Sequence, residues 1–278
     1  MQELWKVVIL AIVQGVTEFL PISSDGHLVL ASLILGVPIE NDPRLHDLFV
    51  VLHFGTLLSI VVVYLRRLFL LLRQHRHLLW PLFVGSLPAG IAGLVIKKGI
   101  PDEVAGVILL HPVVTGVGFI TTGVVLLIGG CAKRGEADYV EIKPLQAFWI
   151  GCAQALAILP GVSRSGMTIS TGLKLGLSPI SAASFSFLLG VPIIFAATMV
   201  EVVDTLRSAS PASENVEAAV RMSPLYLAVG VVVSFLVGLA SLMLLIRLLE
   251  RGRFQWFAAW CIPLGVGLLV YEAIRLAL

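Results

Sequence analysis

The amino-acid sequence predicts an all-α integral membrane protein in which six spanning helices and two re-entrant helical hairpins form an inverted repeat. Three observations predict it. Of 278 residues, 58% are hydrophobic and only 13% charged, with a mean hydropathy of +1.00. A soluble domain carries about 25% charge and about 45–50% apolar residues, and has too much surface facing water to spare polar groups on this scale. Six apolar stretches reach the about 20 residues that a bilayer crossing needs. Two further apolar stretches are each interrupted by polar residues, and the two interruptions resemble one another half a chain apart. Soluble globular, disordered and nucleic-acid-coating classes are excluded.

The first interrupted stretch, 3–36, is broken by Glu18, Pro21, Ser23, Ser24, Asp25, Gly26 and His27. It reads as two short helices joined at mid-depth by a polar turn, because irregular backbone inside a membrane is tolerated only within protein or along a wet cavity. Its opening, MQELWKVVILAIVQG, has neither a net positive start nor a small-residue cleavage site, so it reads as mature structure and not as a removed signal peptide. Spans follow near 47–66, 79–97 and 105–130. The second interrupted stretch, 145–177, is broken by Pro160, Gly161, Ser163, Arg164, Ser165 and Gly166. Spans near 181–203, 223–247 and 254–276 complete the chain.

The order of elements repeats. QGVTEFLPISSDGH at 14–27 is answered by QALAILPGVSRSG at 154–166, and Pro21 and Ser24 match Pro160 and Ser163 at an offset of 139. Each break is followed by a helix with a central glycine (Gly55, Gly190), then one opening Pro-Leu (Pro81, Pro224), then a glycine-rich span. One hairpin plus three crossings per half makes the halves, 1–140 and 141–278, inverted copies within a single membrane domain.

Orientation follows from basic residues in short loops. Arg66, Arg67, Arg73 and Arg76, then Lys133, Arg134 and Lys143, then Arg247, Arg251 and Arg253 mark alternate loops as cytoplasmic. Asp102, Glu103, Asp204, Glu214 and Glu217 mark the others as external, against Lys97 and Lys98. Both termini then lie outside, and the two hairpin tips meet near the midplane.

Those tips hold the chemistry. An ionisable side chain at the bilayer centre costs about 2.5–3.5 kcal/mol on insertion scales. Glu18, Asp25, His27 and Arg164 all fall there. A structural ion pair of Arg164 with Glu18 or Asp25 is the bland alternative, although an apolar pair stabilises as well or better. The Ser163-Arg164-Ser165-Gly166 turn suits a phosphate, with hydroxyls, a guanidinium fork and N–H groups at a helix start. At membrane depth that phosphate is a lipid-linked one. Ser24 and His27, three residues apart, are placed to share a helical face as nucleophile and base, and a water positioned by His27 and Glu18 is the alternative attacking group. Gln14 and Glu18, at i and i+4, offer the oxygen ligands that Mg²⁺ or Ca²⁺ prefers. Ser23, Thr17 and Gly166 are further candidate substrate contacts beside these.

Other residues read more plainly. His53 and Thr56 lie on a crossing helix, where cavity-facing and packing roles are equally open. His75 and His77 fall in a basic loop, and His111 at a helix start. The glycines of 116–130 read as close helix packing, since no Gly-Lys-Ser/Thr follows. Cys131, Cys152 and Cys261 read as small core hydrophobes. With 19 basic and 17 acidic residues, no nucleic-acid partner is expected.

At QGVTEFLPISSDGHL and LPGVSRSGMT the sequence resembles the bacterial undecaprenyl-diphosphate phosphatase family of the bacitracin-resistance type, along essentially the whole chain. The resemblance implies a multi-pass protein of the bacterial plasma (inner) membrane that hydrolyses undecaprenyl diphosphate, recycling the carrier lipid for peptidoglycan. It further implies Ser24 as nucleophile, His27 as proton-transfer partner, Glu18 as base or cation ligand, and Arg164 as diphosphate clamp with Ser163 and Ser165 alongside. Gln14 stands where some members have glutamate, and Asp25 where serine or threonine is usual. A divalent cation (Mg²⁺ or Ca²⁺) is the implied cofactor, a polyprenyl diphosphate the partner, and a homodimer is open. An inverted-repeat transporter or flippase for a polyprenyl phosphate is the competing class; it wants Arg164 but not Ser24 with His27.

Overall fold

A computed structural model of the chain describes residues 4–37, 43–99, 101, 111–133, 135–208 and 222–277. Two short helices come first, α1 (Leu4–Thr17) and α2 (Ser24–Ile34), packed together around the turn 18–23. Fourteen residues at about 1.5 Å each extend only about 21 Å, short of the about 30 Å hydrocarbon thickness. Three long helices follow: α3 (Pro43–Arg73), α4 (Leu79–Gly99) and α5 (Pro112–Gly130). The second half restates the order, with short α6 (Pro144–Leu156) and α7 (Arg164–Lys174), then α8 (Pro179–Ser208), α9 (Pro224–Glu250) and α10 (Ala258–Ala277). Six helices, α3, α4, α5, α8, α9 and α10, are long and apolar enough to cross a membrane. No strand occurs among the described residues.

The halves exchange partners. α1 packs on α9 of the second half, and α6 packs on α4 of the first. Both crossings are made close by glycine: a Cβ on Gly151 of α6 would strike the Gly85 carbonyl of α4, and one on Gly15 of α1 would lie 2.8 Å from Val237 Cβ of α9. Small residues at such seams let backbones approach and bring carbonyls within reach of hydroxyls. Ser241 Oγ of α9 accordingly donates to the Val16 carbonyl of α1 at 2.7 Å, and Ser59 Oγ of α3 to the Phe235 carbonyl of α9 at 2.8 Å. α5 packs on α10 and α3 on α8, closing the bundle around the short helices. The glycines of 116–130 thus serve packing: Gly116 and Gly123 lie against Leu269 and Ile262 of α10.

Some expectations shift. Arg66, Arg67 and Arg73 belong to α3 and not to a loop. The Arg67 guanidinium lies over the rings of Tyr64 (4.9 Å) and Tyr139 (5.8 Å) and donates to Ser184 of α8, so it ties helix ends together. Cys261 is buried, but Cys131 caps the end of α5 and is exposed, so it is no core residue. Asp102, Glu103, Arg134, Glu214 and Glu217 lie outside the described residues, as does 105–110 of the third span.

Candidate active site

The two short-helix turns meet at the centre of the bundle, and the sequence sets each turn in its own way. Ser23 caps α2, its hydroxyl accepting from Gly26 N–H at 3.5 Å. It does so from φ 71°, a left-handed value that a non-glycine residue adopts at a cost of about 1–3 kcal/mol and that concentrates at functional sites. Ser163 caps α7 in the same manner, accepting from Gly166 N–H at 3.1 Å, and here Gly161 takes the left-handed position at φ 83°. The caps therefore pair Ser23 with Ser163 and Ser24 with Arg164. This corrects the pairing of Ser24 with Ser163, because the second turn carries one extra residue between its proline and its cap. Thr122 of α5 clamps that turn, donating to the Gly161 carbonyl at 2.8 Å and accepting from Ser163 N–H at 2.9 Å.

Arg164, first residue of α7, reaches across to the opposite turn, where its Nη2 donates to Glu18 Oε1 at 2.9 Å. The other carboxylate oxygen, Glu18 Oε2, accepts from Ser24 Oγ–H at 2.7 Å and from Gln14 Nε2–H at 3.1 Å. Glu18 is thus a buried carboxylate held by three donors, its charge balanced by Arg164. Arg164 Nη1 is buried and has no acceptor among the described residues. Charged donors without acceptors are costly inside a protein, so this atom is a ready partner for an anion. A cleft of about 150 Å³ opens here, with Glu18, Ser24, Asp25, His53, Ser163 and Arg164 on its polar side and Ala157 and Ile194 on its apolar side. Thr17 and Ser23 also line it.

His27 is not beside Ser24. Its Nδ1 lies 2.7 Å from the Ser23 carbonyl, which can only accept, so Nδ1 carries the hydrogen. Its Nε2 accepts from Trp260 Nε1–H at 2.9 Å, and the ring packs edge-on against Phe119. Both nitrogens are spent on a neutral tautomer that faces α5 and α10. His27 therefore braces the strained Ser23 turn, and the expected serine–histidine pair is not formed. The histidine of the cleft is His53, from α3, with Nε2 3.6 Å from Asp25 Oδ1 and 3.8 Å from Glu18 Oε2. Its only mark in the sequence is a titratable residue within an apolar span.

Three further expectations change. Ser165 is buried, 3.2 Å from Ser163 Oγ, and donates to the Leu20 carbonyl at 3.4 Å, so it joins the two turns and does not line the cleft. Gly166 N–H is spent on the cap. Gln14 turns its N–H toward Glu18 while its Oε1 is buried without a partner, and it does not line the cleft. Gln14 and Glu18 consequently do not fit a shared divalent cation: one turns its donor side to the other, and Glu18 already accepts three hydrogen bonds and is neutralised by Arg164. Among the described residues no three His, Cys, Asp or Glu side chains converge on a metal-sized site.

The fit around Arg164 is tight enough to test. A Cβ on Gly190 of α8 would fall on Arg164 Nη1. Gly190→Ala should push the guanidinium off Glu18 and raise KM about tenfold or more, since misplacement by an ångström can cost far more than the contact itself. Substrate titrations with unchanged yield of folded protein check this.

A family model described as Bacitracin resistance protein BacA matches residues 7–267. The chain is 43% identical over 266 residues to a protein of Rhodopirellula baltica named undecaprenyl-diphosphatase, covering 96% of this chain and 97% of that one. A protein of the same name from Halothermothrix orenii is 34% identical over 277 residues, covering 98% and 99%. One from Burkholderia orbicola, named undecaprenyl-diphosphatase 2, is 33% identical over 279 residues, covering 95% of each.

Proposed function

This chain belongs to the bacitracin resistance protein BacA family, and from that membership and the chemistry of its cleft we infer that it hydrolyses undecaprenyl diphosphate to undecaprenyl phosphate and inorganic phosphate. It is a membrane-bound phosphatase that returns the carrier lipid to wall synthesis and confers bacitracin resistance. The observation that carries the chemistry is the Ser24–Glu18–Arg164 chain, with a hydroxyl, a base and a cation with a spare donor in contact at one cleft.

In the mechanism we propose, diphosphate oxygens take the N–H groups of Arg164, chiefly the unpartnered Nη1. Ser24 Oγ bonds to the terminal phosphorus as the anhydride P–O bond breaks and undecaprenyl phosphate leaves. The hydroxyl proton passes along the existing 2.7 Å hydrogen bond to Glu18 Oε2. Water then adds to the phosphoserine phosphorus as the Ser24 Oγ–P bond breaks; Glu18 returns the proton it holds to Ser24 Oγ along the same hydrogen bond, and the released phosphate keeps the hydrogens of the water. Arg164 balances the charge that builds on the phosphoryl oxygens, the dominant contribution in phosphoryl transfer. Ser23, Ser163 and Thr17 bound the space the phosphate fills. A divalent cation bound together with the substrate would supply further positive charge beside the diphosphate; Gln14 and Glu18 would not be the residues that hold it.

The short helix pairs are proposed to enter and leave the inner membrane on one side each, with both termini outside. One chain carries every residue of the cleft, so the reaction needs no second copy, and a homodimer would pair two complete sites. The test is phosphate release by the purified protein from a long-chain polyprenyl diphosphate, with Mg²⁺ or Ca²⁺ and with chelator. Release that chelation suppresses is expected. No turnover with any divalent cation would instead favour a polyprenyl-phosphate transporter, for which Ser24 has no use.

A further inference from the structure

The mechanism above leaves two charged groups of the cleft unused, Asp25 and His53. Asp25 lies in the first turn of α2, a position where a carboxylate stabilises the helix. It also points into a cleft that receives an anion: its side chain is 60% exposed and lines the same cavity as Arg164. A carboxylate there repels a diphosphate, and the charge of Arg164 is already engaged by Glu18. Something else has to offset it.

His53 is placed to do so. Its Nδ1 lies 2.8 Å from the Phe49 carbonyl of its own helix, and a carbonyl can only accept, so Nδ1 carries hydrogen. Its Nε2 faces Asp25 Oδ1 at 3.6 Å and Glu18 Oε2 at 3.8 Å, both acceptors as carboxylates. The ring is attracted on both sides only when both nitrogens carry hydrogen, that is, as a cation. The groups around it are the Phe49 carbonyl on α3, Asp25 on α2 and Glu18 in the turn after α1, with Arg164 of α7 beyond Glu18. Two carboxylates then face two cations, and the cleft is neutral before substrate arrives. His27, whose nitrogens meet one acceptor and one donor, is neutral by the same reasoning.

We propose that His53 and Asp25 form a charge-compensating pair, in which His53 is a positioning residue that lets this cleft bind a diphosphate despite the added carboxylate. The proposal rests on the diphosphatase function given above. His53 acts through Asp25: its charge cancels that carboxylate, so the diphosphate meets Arg164 without added repulsion. No bond to His53 forms or breaks.

A double-substitution cycle tests it on the full-length protein in detergent. Removing the cation with His53→Gln leaves Asp25 unopposed, and KM for a polyprenyl diphosphate should rise about tenfold with kcat within about threefold, because the loss falls on anion binding. Asp25→Asn on its own should change KM less than about threefold. The double variant should recover KM to within about threefold of the parent, and this recovery is what a merely structural histidine would not give. Additive losses in the double variant overturn the pairing. His53→Asn repeats the cycle should His53→Gln fail to fold. The same four proteins are also read by the pyrophosphate concentration that half-raises their melting temperature, which needs no turnover. An inactive parent protein that still shows the coupled pattern with pyrophosphate refutes the hydrolytic function but keeps the pair. An active parent with uncoupled substitutions does the reverse.

Discussion

Arg164→Ala should lower phosphate release by about 10³-fold or more, the range seen when a cation that stabilises a transferring phosphoryl group is removed. The size of the effect comes from Arg164 serving both sides of the site. Its Nη2 neutralises Glu18 at 2.9 Å, and its Nη1 is the buried donor left for substrate. Without it, Glu18 is a buried carboxylate with no cationic hydrogen-bond partner, and it presents negative charge to the diphosphate. Breaking a buried pair by removing one partner costs about 3–5 kcal/mol, so the variant should also melt at a lower temperature. The two consequences separate cleanly. Arg164→Ala combined with Glu18→Gln should regain most of the stability and none of the activity, read by thermal melting and by initial rates. Arg164→Lys should be almost as inactive as Arg164→Ala, since an ammonium cannot present two coplanar N–H groups to Glu18 and substrate at once. The contact of Gly190 with Nη1 requires the flat guanidinium in this position. Near-normal release from Arg164→Ala would remove the clamp from the mechanism.

The spanning helices were legible because a bilayer imposes a length and a composition that no other environment demands, and Leu, Val and Ile fill the required windows without interruption. The broken stretches were legible for the converse reason: Glu18, Asp25 and Arg164 are too costly in hydrocarbon to be incidental. What the chain hides is which way a side chain turns once the helices pack. Ser24 and His27 are three residues apart, which leaves them about 60° apart around a helix, near enough for a shared face but free to part. They part because Trp260, 233 positions away in the chain, offers His27 a hydrogen. His53 enters the site by the same kind of distant neighbour, through α3 packing beside both turns. Spacing from the prolines sets the register of the repeat off by one, because Gly161 adds a residue between Pro160 and the cap that the first turn lacks. Gln14 and Glu18 do share a helical face, but spacing does not say which end of an amide points at the carboxylate. A carboxylate attracts the N–H end, and that preference turns Gln14 from a metal ligand into a support for Glu18.

Ser24→Ala should lower phosphate release by on the order of 10³-fold or more, the loss expected when a nucleophile is deleted and only binding and charge stabilisation persist. Ser24 is only part-buried and gives up a single hydrogen bond, to Glu18, so the variant should fold normally and lose about 1–2 kcal/mol of stability at most. Substrate affinity should be kept, because Arg164 and Ser163 are untouched. Ser23→Ala is the matched control. It removes the cap of α2 and costs about 1 kcal/mol of stability, but it leaves the Ser24 hydroxyl on Glu18, so its rate should fall far less. The comparison matters because the two adjacent serines do different work: one accepts a backbone N–H to start a helix, the other donates to a carboxylate in the cleft. Acid-quenching the parent enzyme during turnover with labelled substrate should trap phosphate on Ser24, and none on the Ser24→Ala protein. Were water the direct attacker, oriented by Glu18, Ser24→Ala would keep near-normal release and no phosphoprotein would form in either. The 2.7 Å contact points to serine, because the group that hydrogen-bonds the base in the resting cleft is the group whose proton the base can take as phosphorus approaches.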